Sequence, residues 1–338
     1  MKKKKKLLII TLASKKYGIG HLERSGKLAK NLNKKKYEIY LIVIKKDFKN
    51  YYNKKIFKKS FYFNNPGETL LLNLILNLKP SLCIIDVPVP NIRFEKKLYE
   101  NKIKFLVYDN LSRKKIYSNF LINLNPKVTK KDYRKIKFYN KSKIFLGVKY
   151  FQFENKIKRY RKKIKQIDKI LLFFGGGKVN YNLFKNVLKI IANSKFRRKK
   201  IIFVSKQKFD LDKKKYFKKK FNINIKYLYN LLSLNNILKK IDLALITSGT
   251  IAFEVSFFRI PMLLTSVSKN QELMAKTWSK LGAGINLGSS KSRLFVKNTN
   301  IAFDKISDHK LKSKIYNFQN KIYKNYNNKL LSFLNNIK

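Results

Sequence analysis

The sequence contains few cysteine, histidine and acidic residues. Each scarcity limits the disulfides or metal sites that the protein can form. The single cysteine, Cys83, excludes internal disulfides and a zinc site made of cysteines. There are two histidines, His21 and His309, and the 18 acidic residues form no evident metal-binding cluster. No run of 18 apolar residues occurs, so no transmembrane helix is predicted. With 44% hydrophobic residues among 338, the chain is long and apolar enough for about two globular domains.

The charge is strongly one-sided, with 80 basic residues giving a formal net charge of +62. Nucleic-acid binding, attraction to an anionic membrane face, and a coding sequence rich in A and T each explain such a balance. Only ten of the basic residues are arginine, which is the usual reader of phosphates and bases, and the lysines are spread along the chain. We therefore favour a coding sequence rich in A and T as the explanation of the positive charge. Attraction to a membrane face can act in addition. We expect a cytoplasmic monomer without a specific nucleic-acid partner, in peripheral contact with the anionic inner membrane face.

Short apolar runs alternate with amphipathic stretches along almost the whole chain, which predicts an α/β fold with parallel sheets. The first run, 7–13, follows a lysine cluster and imitates a signal peptide. It is short and leads into a glycine turn, so we interpret it as a buried strand. The alternation lapses from about residue 125 and restarts at 169, and we place the domain junction near 145–168. We predict two doubly wound Rossmann-like domains, 1–148 and 149–338, which face each other across a cleft.

In the first half, a glycine turn carries the most informative motif, Gly18-Ile-Gly20-His21. It stands between a predicted strand and a predicted helix, where nucleotide or sugar ligands bind in α/β domains. The alternative is that the glycines make an ordinary turn and His21 caps or packs against the helix. Asp86 and Asp109 each end a predicted strand. Because ligands bind at the carboxyl ends of parallel strands, these two carboxylates and His21 are expected to face one pocket.

In the second half, a predicted strand ends in Ser248-Gly249-Thr250, and Glu254 follows one helical turn later. Small residues at a helix start can bind phosphate, and a carboxylate there can accept hydrogen bonds from a ribose. The alternative is helix capping and a favourable dipole interaction. Gly175 and Gly176 follow the first strand of this half and leave room for a diphosphate or make a tight turn. The amides of Asn270 and Gln271 suit sugar hydroxyls, although Asn is also a good helix cap.

Taken in order, these segments resemble a known family. The matching elements are Gly18-x-Gly20-His21-x-x-Arg24, Asp86, Tyr108-Asp109-Asn110, Phe174-Gly175-Gly176, Ser248-Gly249-Thr250-x-x-x-Glu254 and Asn270-Gln271. The order is similar to that of the UDP-2,4-diacetamido-2,4,6-trideoxy-β-L-altropyranose hydrolases of pseudaminic acid biosynthesis and the related spore-coat polysaccharide proteins. That family is itself similar to the GT-B glycosyltransferases. The resemblance runs from residue 7 to about residue 288.

The resemblance implies a GT-B fold in which the C-terminal domain holds UDP. His21 would match the catalytic histidine, the 248–250 segment the diphosphate loop, and Glu254 the ribose-binding acid. No metal is expected, because the helix dipole and the lysines can neutralise the diphosphate, and no cofactor is expected. The expected catalytic residues are His21, Asp86 and Asp109. The expected substrate-binding residues are Gly18, Gly20, Arg24, Gly175, Gly176, Ser248, Gly249, Thr250, Glu254, Asn270 and Gln271.

Three functions follow, in order of preference. The first is a UDP-sugar hydrolase, in which His21 activates water. The second is an inverting GT-B glycosyltransferase with a sugar or lipid-linked acceptor in place of water. It is favoured because Val87-Pro88 stands where the hydrolases carry a tyrosine, and because the surface is basic. The third is a non-catalytic basic protein that binds nucleic acid or acidic polysaccharide.

Overall fold

A computed structural model describes residues 4–14, 17–45, 47, 56–111, 113–154, 166–177, 179–231, 233–324, 326 and 328–337. The chain divides into two compact units, one formed by residues 1–156 with 325–338 and the other by residues 157–324. The first unit therefore extends beyond the border predicted after residue 148. It also takes the C-terminal residues, which we had placed in the second domain. Residues 155–165, around the border, lie outside the described residues.

The first unit is built on a parallel sheet. Its helices and strands, in chain order, are β1 (Lys5–Leu12), α1 (Gly20–Asn31), β2 (Tyr37–Ile44), β3 (Lys59–Phe63), α2 (Glu68–Leu78), β4 (Leu82–Asp86), α3 (Ile92–Glu100), β5 (Phe105–Tyr108), β6 (Lys115–Ile116), β7 (Phe120–Asn123), β8 (Lys137–Phe138) and β9 (Lys143–Leu146). The sheet order is β3-β2-β1-β4-β5-β7-β9, with every described pairing parallel, and β6 pairs separately with β8. This order makes β1 and β4 neighbours although β2 and β3 separate them in the chain.

Continuous apolar runs explain why these segments form central strands. In β1, the four residues Leu7 to Ile10 are at most 1% exposed, so both faces of the strand are covered. A strand buried on both faces is the usual occupant of a parallel sheet with helices on both sides. The run that imitates a signal peptide is thus confirmed as a buried strand, paired with β2 on one side and β4 on the other.

The second unit repeats this plan. Its elements are β10 (Lys169–Phe173), α4 (Tyr181–Ala192), β11 (Lys200–Ser205), α5 (Leu211–Phe221), β12 (Ile225–Tyr229), α6 (Asn235–Leu238), β13 (Leu243–Thr247), α7 (Ile251–Phe257), β14 (Met262–Ser266), α8 (Lys269–Lys280), β15 (Ile285–Ser289), α9 (Phe295–Lys305) and α10 (His309–Ile322). The sheet order β12-β11-β10-β13-β14-β15, again parallel, is that of a doubly wound nucleotide-binding domain. The prediction of an α/β fold with two Rossmann-like units is confirmed.

A last helix, α11 (Lys329–Asn335), packs on the first unit. Leu330 and Leu334 are at most 1% exposed, and the hydroxyl of Tyr37 donates to the carbonyl of Leu334 over 2.5 Å. The ring of Phe333 lies 4.7 Å from that of Phe145. Within the described part of the chain, each helix is too short or too polar to cross a bilayer.

The single cysteine gives a simple test of this packing. Cys83 lies in β4 with no exposed surface, and burial raises the pKa of its thiol. Because only the thiolate reacts with disulfide reagents, we expect the folded protein to resist modification for hours. Addition of urea should release one reactive thiol per chain. Rapid reaction of the folded protein would contradict the central position of β4.

Candidate active site

The first candidate site lies where the strand order of the first unit reverses. The chain runs outward from β1 to β2 in one direction and from β4 to β5 in the other, so the carboxyl ends of β1 and β4 flank this switch point. Ligands of open α/β sheets bind at such points. Gly18, in the turn after β1, adopts a left-handed backbone (φ 76°), which only glycine adopts freely. Gly20 begins α1, and His21 is its second residue.

Asp86 is the last residue of β4, and it holds His21. The Nδ1 atom of His21 lies 2.6 Å from Oδ1 of Asp86. Arg24, one turn further along α1, donates through Nε to Oδ2 over 2.7 Å and through Nη2 to Oδ1. The side chain of Asp86 is 1% exposed, whereas 26% of the His21 side chain is exposed. The three predicted residues are therefore brought together as one cluster.

This geometry settles which ring nitrogen of His21 carries the proton. An ionised carboxylate only accepts hydrogen bonds, so the 2.6 Å contact needs a proton on Nδ1. Nη2 of Arg24 also lies 3.2 Å from Nδ1, but a protonated Nδ1 cannot accept from it. When the ring is neutral, its lone pair is then on Nε2. A histidine held in this way can accept a proton from a reacting hydroxyl group.

The carboxylate of Asp86 stays ionised despite its burial. Burial alone would raise its pKa, but the positive charges of Arg24 and of the protonated His21 ring, with hydrogen bonds from both residues, outweigh that effect and lower the pKa to about 2. In turn, burial lowers the pKa of Arg24 less than Asp86 raises it, so the guanidinium remains charged. Asp86 can therefore orient His21 across the whole neutral pH range.

Asp109 belongs to a different network from the one we expected. Its Oδ1 accepts from Nη1 of Arg113 over 2.7 Å, and its Oδ2 accepts from the hydroxyl of Tyr133 over 2.7 Å. Arg113 also binds Glu95, and the side chains of all three charged residues are at most 1% exposed. The expected pocket of His21, Asp86 and Asp109 is thus corrected to a His21–Asp86 pair, with Asp109 in a buried ion cluster beside it.

Tyr108 also belongs to this site, although from the sequence it was named only as the residue before Asp109 and was given no role. It ends β5, and the guanidinium carbon of Arg24 lies 4.4 Å from the centre of its ring. The ring covers one face of the guanidinium, and the residue is 7% exposed. Burial raises the pKa of its hydroxyl, which has no hydrogen-bond partner among the described residues. An aromatic residue at the end of a strand, directly before a charged one, was the only available signal.

The second candidate site lies at the corresponding switch point of the second unit, between β10 and β13. Gly175 has a left-handed backbone (φ 96°), and a Cβ placed there would lie 3.8 Å from Oγ1 of Thr247, so the two strand ends are close together. Ser248 donates through Oγ to the carbonyl of Gln271 over 2.5 Å. Oε1 of Gln271 accepts from the backbone N–H of Val267 over 3.0 Å. Ser248 and Gln271 thus hold the 248–250 loop against the start of α8.

The remaining predicted residues lie around this loop. Thr250 precedes α7 and makes no side-chain capping bond, so simple capping does not account for it. Glu254 is buried in α7, whereas Asn270 is exposed in the first turn of α8. Gly176 is half-buried in the turn after β10. In the described part of the chain, no group of three or more histidine, cysteine or acidic side chains is arranged to hold a metal ion.

Comparison with known proteins identifies the fold. No protein-family model matches the chain. Its structure is similar to those of GT-B glycosyltransferases, in which two Rossmann-like domains make up the chain. The GT-B fold predicted from the sequence is therefore confirmed.

Three solved structures represent this similarity. MurG of Acinetobacter baumannii aligns with a TM-score of 0.68 at 10% identity, over 98% of this chain and 100% of MurG. The spinosyn rhamnosyltransferase SpnG, complexed with thymidine diphosphate, gives 0.66 at 11% identity over 98% and 100%. The S. aureus MnaA–UDP structure gives 0.62 at 14% identity over 98% of each chain. At these identities the similarity establishes the fold alone.

A curated relative comes from Methanocaldococcus jannaschii, an uncharacterized protein that is 27% identical over 305 residues. The match covers 86% of this chain but 62% of the relative, so the chain spans less than two thirds of that protein's length.

Proposed function

We propose that this protein is a glycosyltransferase that takes a sugar from a UDP-sugar and passes it to an acceptor hydroxyl group. The observation that carries the proposal is His21, whose Nδ1 is held by Asp86 and whose Nε2 is left to accept a proton. This pair lies at the switch point of the first unit, where α/β domains bind their ligands. The fold shared with glycosyltransferases supports the same class of reaction.

The chemistry is a single displacement. The acceptor hydroxyl loses its proton to Nε2 of His21 as its oxygen attacks the anomeric carbon of the donor. The bond between that carbon and the diphosphate oxygen breaks, and its electron pair leaves with UDP. Asp86 stabilises the imidazolium that forms, because its ionised carboxylate remains 2.6 Å from Nδ1. One displacement inverts the configuration at the anomeric carbon.

The second unit supplies the donor site in this proposal. Gly175 and Gly176 leave space at the end of β10, and Ser248, Gly249 and Thr250 form the loop that would face the diphosphate. Glu254 would accept hydrogen bonds from the ribose, and the many lysines would offset the charge of the leaving UDP. The related folds support a nucleoside diphosphate here, because SpnG was solved with thymidine diphosphate and MnaA with UDP.

A UDP-sugar hydrolase is the second candidate, with water replacing the acceptor at the same imidazole. It is favoured by the motif Gly18-x-Gly20-His21-x-x-Arg24, which resembles the hydrolases of pseudaminic acid biosynthesis. In this version the substrate would be a UDP-linked diacetamido-trideoxy sugar in surface polysaccharide biosynthesis. The residues keep the same roles, and only the nucleophile differs.

A test of UDP release separates the two candidates. The purified protein is incubated with a panel of UDP-sugars, alone and with a mixture of sugar and lipid-linked sugar acceptors, and UDP is quantified. We expect UDP to appear only when an acceptor is present, together with a glycosylated product. Release of UDP with free sugar, in the absence of an acceptor, would establish the hydrolase instead. A protein that neither binds UDP nor cleaves any UDP-sugar would contradict both.

Gly249 offers a test of the donor site that does not need the acceptor. A Cβ placed there would meet nothing nearer than Nε2 of Gln271 at 3.8 Å, so the fold tolerates alanine. If the diphosphate approaches this backbone, Gly249→Ala should weaken UDP binding at least about tenfold while the melting temperature without ligand stays unchanged. The matched control is Gly67→Ala, because a Cβ at Gly67 has nothing within 4 Å.

Thermal shift provides the readout for this pair of variants. At a UDP concentration about 100 times the Kd, binding stabilises the wild-type protein by about 2.7 kcal/mol, which is several degrees. GDP and CMP serve as competitors for base selectivity. Equal stabilisation of wild type and Gly249→Ala by UDP would place the diphosphate away from this loop.

A further inference from the structure

We propose that Arg24 is a positioning residue, whose forked grip on both oxygens of Asp86 keeps the proton of the His21 ring on Nδ1. The resemblance to the hydrolases places Arg24 among the substrate-binding residues, and the structure gives it a different task. The catalytic consequence of this inference rests on the proposed function, whereas its effect on the imidazole does not.

Arg24 binds both oxygens of the Asp86 carboxylate. Nε donates to Oδ2 of Asp86 over 2.7 Å, and Nη2 donates to Oδ1, so both oxygens are held. A bidentate pair of this kind fixes the plane of the carboxylate as well as its charge. The ring of Tyr108 lies against the guanidinium, 4.4 Å from its central carbon, and limits its movement. Asp86 can then present Oδ1 to His21 in a single orientation.

The same contacts leave Arg24 poorly placed to bind a substrate. Only 14% of its side chain is exposed, and two of its three nitrogens are used by Asp86. His21, by contrast, exposes 26% of its side chain beside it. A substrate that reaches the imidazole therefore has little direct contact with Arg24. Arg24 influences it mainly through the carboxylate of Asp86.

Without the Arg24 guanidinium, the proton of the imidazole should no longer be confined to Nδ1. Burial opposes the charge of Asp86, and the positive charge of Arg24 is the largest single effect that keeps it ionised. Without that guanidinium, the carboxyl group can turn, or can take up a proton and present it to Nδ1. Either change ends the exclusive hydrogen bond from Nδ1–H to Oδ1, on which the lone pair at Nε2 depends.

Nitrogen NMR of the imidazole tests this directly in the full-length protein without ligand. The chain has two histidines, so His309→Ala, at an exposed position, leaves His21 as the single labelled ring. When the ring is neutral, we expect the parent protein to show a single set of signals, with the proton on Nδ1. Arg24→Met should show a mixture of ring forms. If the folded Arg24→Met protein gives the parent signals unchanged, Arg24 does not position the proton.

Arg24→Lys keeps the test decisive if Arg24→Met fails to fold. Lysine retains the positive charge beside Asp86 but reaches the carboxylate at one point rather than two. We expect a folded protein in which the single-form signals are broadened or accompanied by a second set. Signals identical to those of the parent would show that the fork is not needed and would overturn the proposal.

Kinetics distinguish positioning from substrate binding. A positioning role predicts that kcat falls at least about tenfold in Arg24→Lys while KM for donor and acceptor changes little. A rise in KM at constant kcat would mean that Arg24 binds the substrate, and it would overturn the proposal. Arg93→Met, which removes an exposed arginine from α3, is the control for loss of charge. If wild type lacks transferase and hydrolase activity, the proposed function fails, but the NMR result still decides the role of Arg24.

Discussion

Replacement of His21 by alanine is expected to lower kcat for sugar transfer by about 10²- to 10⁴-fold, the range for loss of a general base. The reason is that Nε2 of His21 is the proton acceptor in the proposed reaction, and the carboxylate of Asp86, with 1% of its side chain exposed, lies too deep to replace it. Asp86 has a pKa of about 2, so it is also too weak a base at neutral pH. The measurement is the steady-state rate of UDP release with donor and acceptor both saturating.

The controls for this variant separate catalysis from folding and binding. His21→Asn keeps a side chain that can donate to Asp86 but cannot accept a proton, and should be as inactive as His21→Ala. His309→Ala removes the other histidine, at an exposed position, and should keep full activity. Both His21 variants should still be stabilised by UDP, because the proposed donor site is in the second unit.

Activity within about threefold of wild type in His21→Ala would remove the imidazole from the role of base. It would also remove the main support for either enzymatic proposal, because the other histidine of the chain, His309, belongs to the second unit. A loss of UDP binding in the same variant would mean that His21 acts on the donor, and the assignment of donor and acceptor sides would need revision.

Much of the fold could be predicted because parallel strands are continuous apolar runs. The apolar run 82–86 predicts a strand that matches β4, and the strands that the other apolar runs predict lie within about two residues of those observed. Two helices of the second unit, α5 and α9, were not predicted. α5 was missed because six of its eleven residues are lysines and only Phe217 and Phe221 are buried. The sequence pattern over 308–336 also predicts one helix, whereas the structure has two, α10 and α11, and Asn328 before α11 has a left-handed backbone.

The candidate site was also predictable only in part. Strand ends and the glycine turn brought His21, Asp86 and Arg24 into one region, because adjacent parallel strands must end at the same edge. The sequence did not reveal the partner of each carboxylate. Asp86 and Asp109 both follow apolar strands, yet one binds His21 and Arg24 while the other binds Arg113 and Tyr133. That choice depends on side-chain directions in three dimensions, which no local pattern contains.

The buried ion cluster around Arg113 leads to the second large expected effect. Its guanidinium donates to Glu95 over 3.0 Å, to Asp109 over 2.7 Å and to the carbonyl of Tyr108 over 3.0 Å. Two buried carboxylates share this one cation, and Tyr133 adds a hydrogen bond to Asp109. Removing one partner of a buried ion pair leaves an uncompensated charge, which costs about 3–5 kcal/mol. We therefore expect Arg113→Met to lower the free energy of unfolding by at least that amount at pH 7.

The pH dependence of this loss identifies its cause. Burial raises the pKa of Glu95 above its ordinary value, although the charge of Arg113 lowers it in part. Without Arg113 the pKa of Glu95 should rise further. A group whose pKa is raised in the folded state contributes stability below its unfolded pKa, about 4.3, and loses it as the pH rises through the folded value. The deficit of Arg113→Met should therefore be smaller at pH 5 than at pH 8.

Urea unfolding followed by far-UV circular dichroism at both pH values measures this effect. The single tryptophan, Trp278, lies in the second unit, so its fluorescence does not report directly on the change. Arg93→Met, on the exposed side of the helix that carries Glu95, should stay within about 0.5 kcal/mol of wild type. The double variant Arg113→Met with Glu95→Gln should recover part of the lost free energy of unfolding, because only one uncompensated buried carboxylate then remains. A loss below about 1 kcal/mol in Arg113→Met, equal at both pH values, would mean that the carboxylates are solvated or protonated in the wild-type protein.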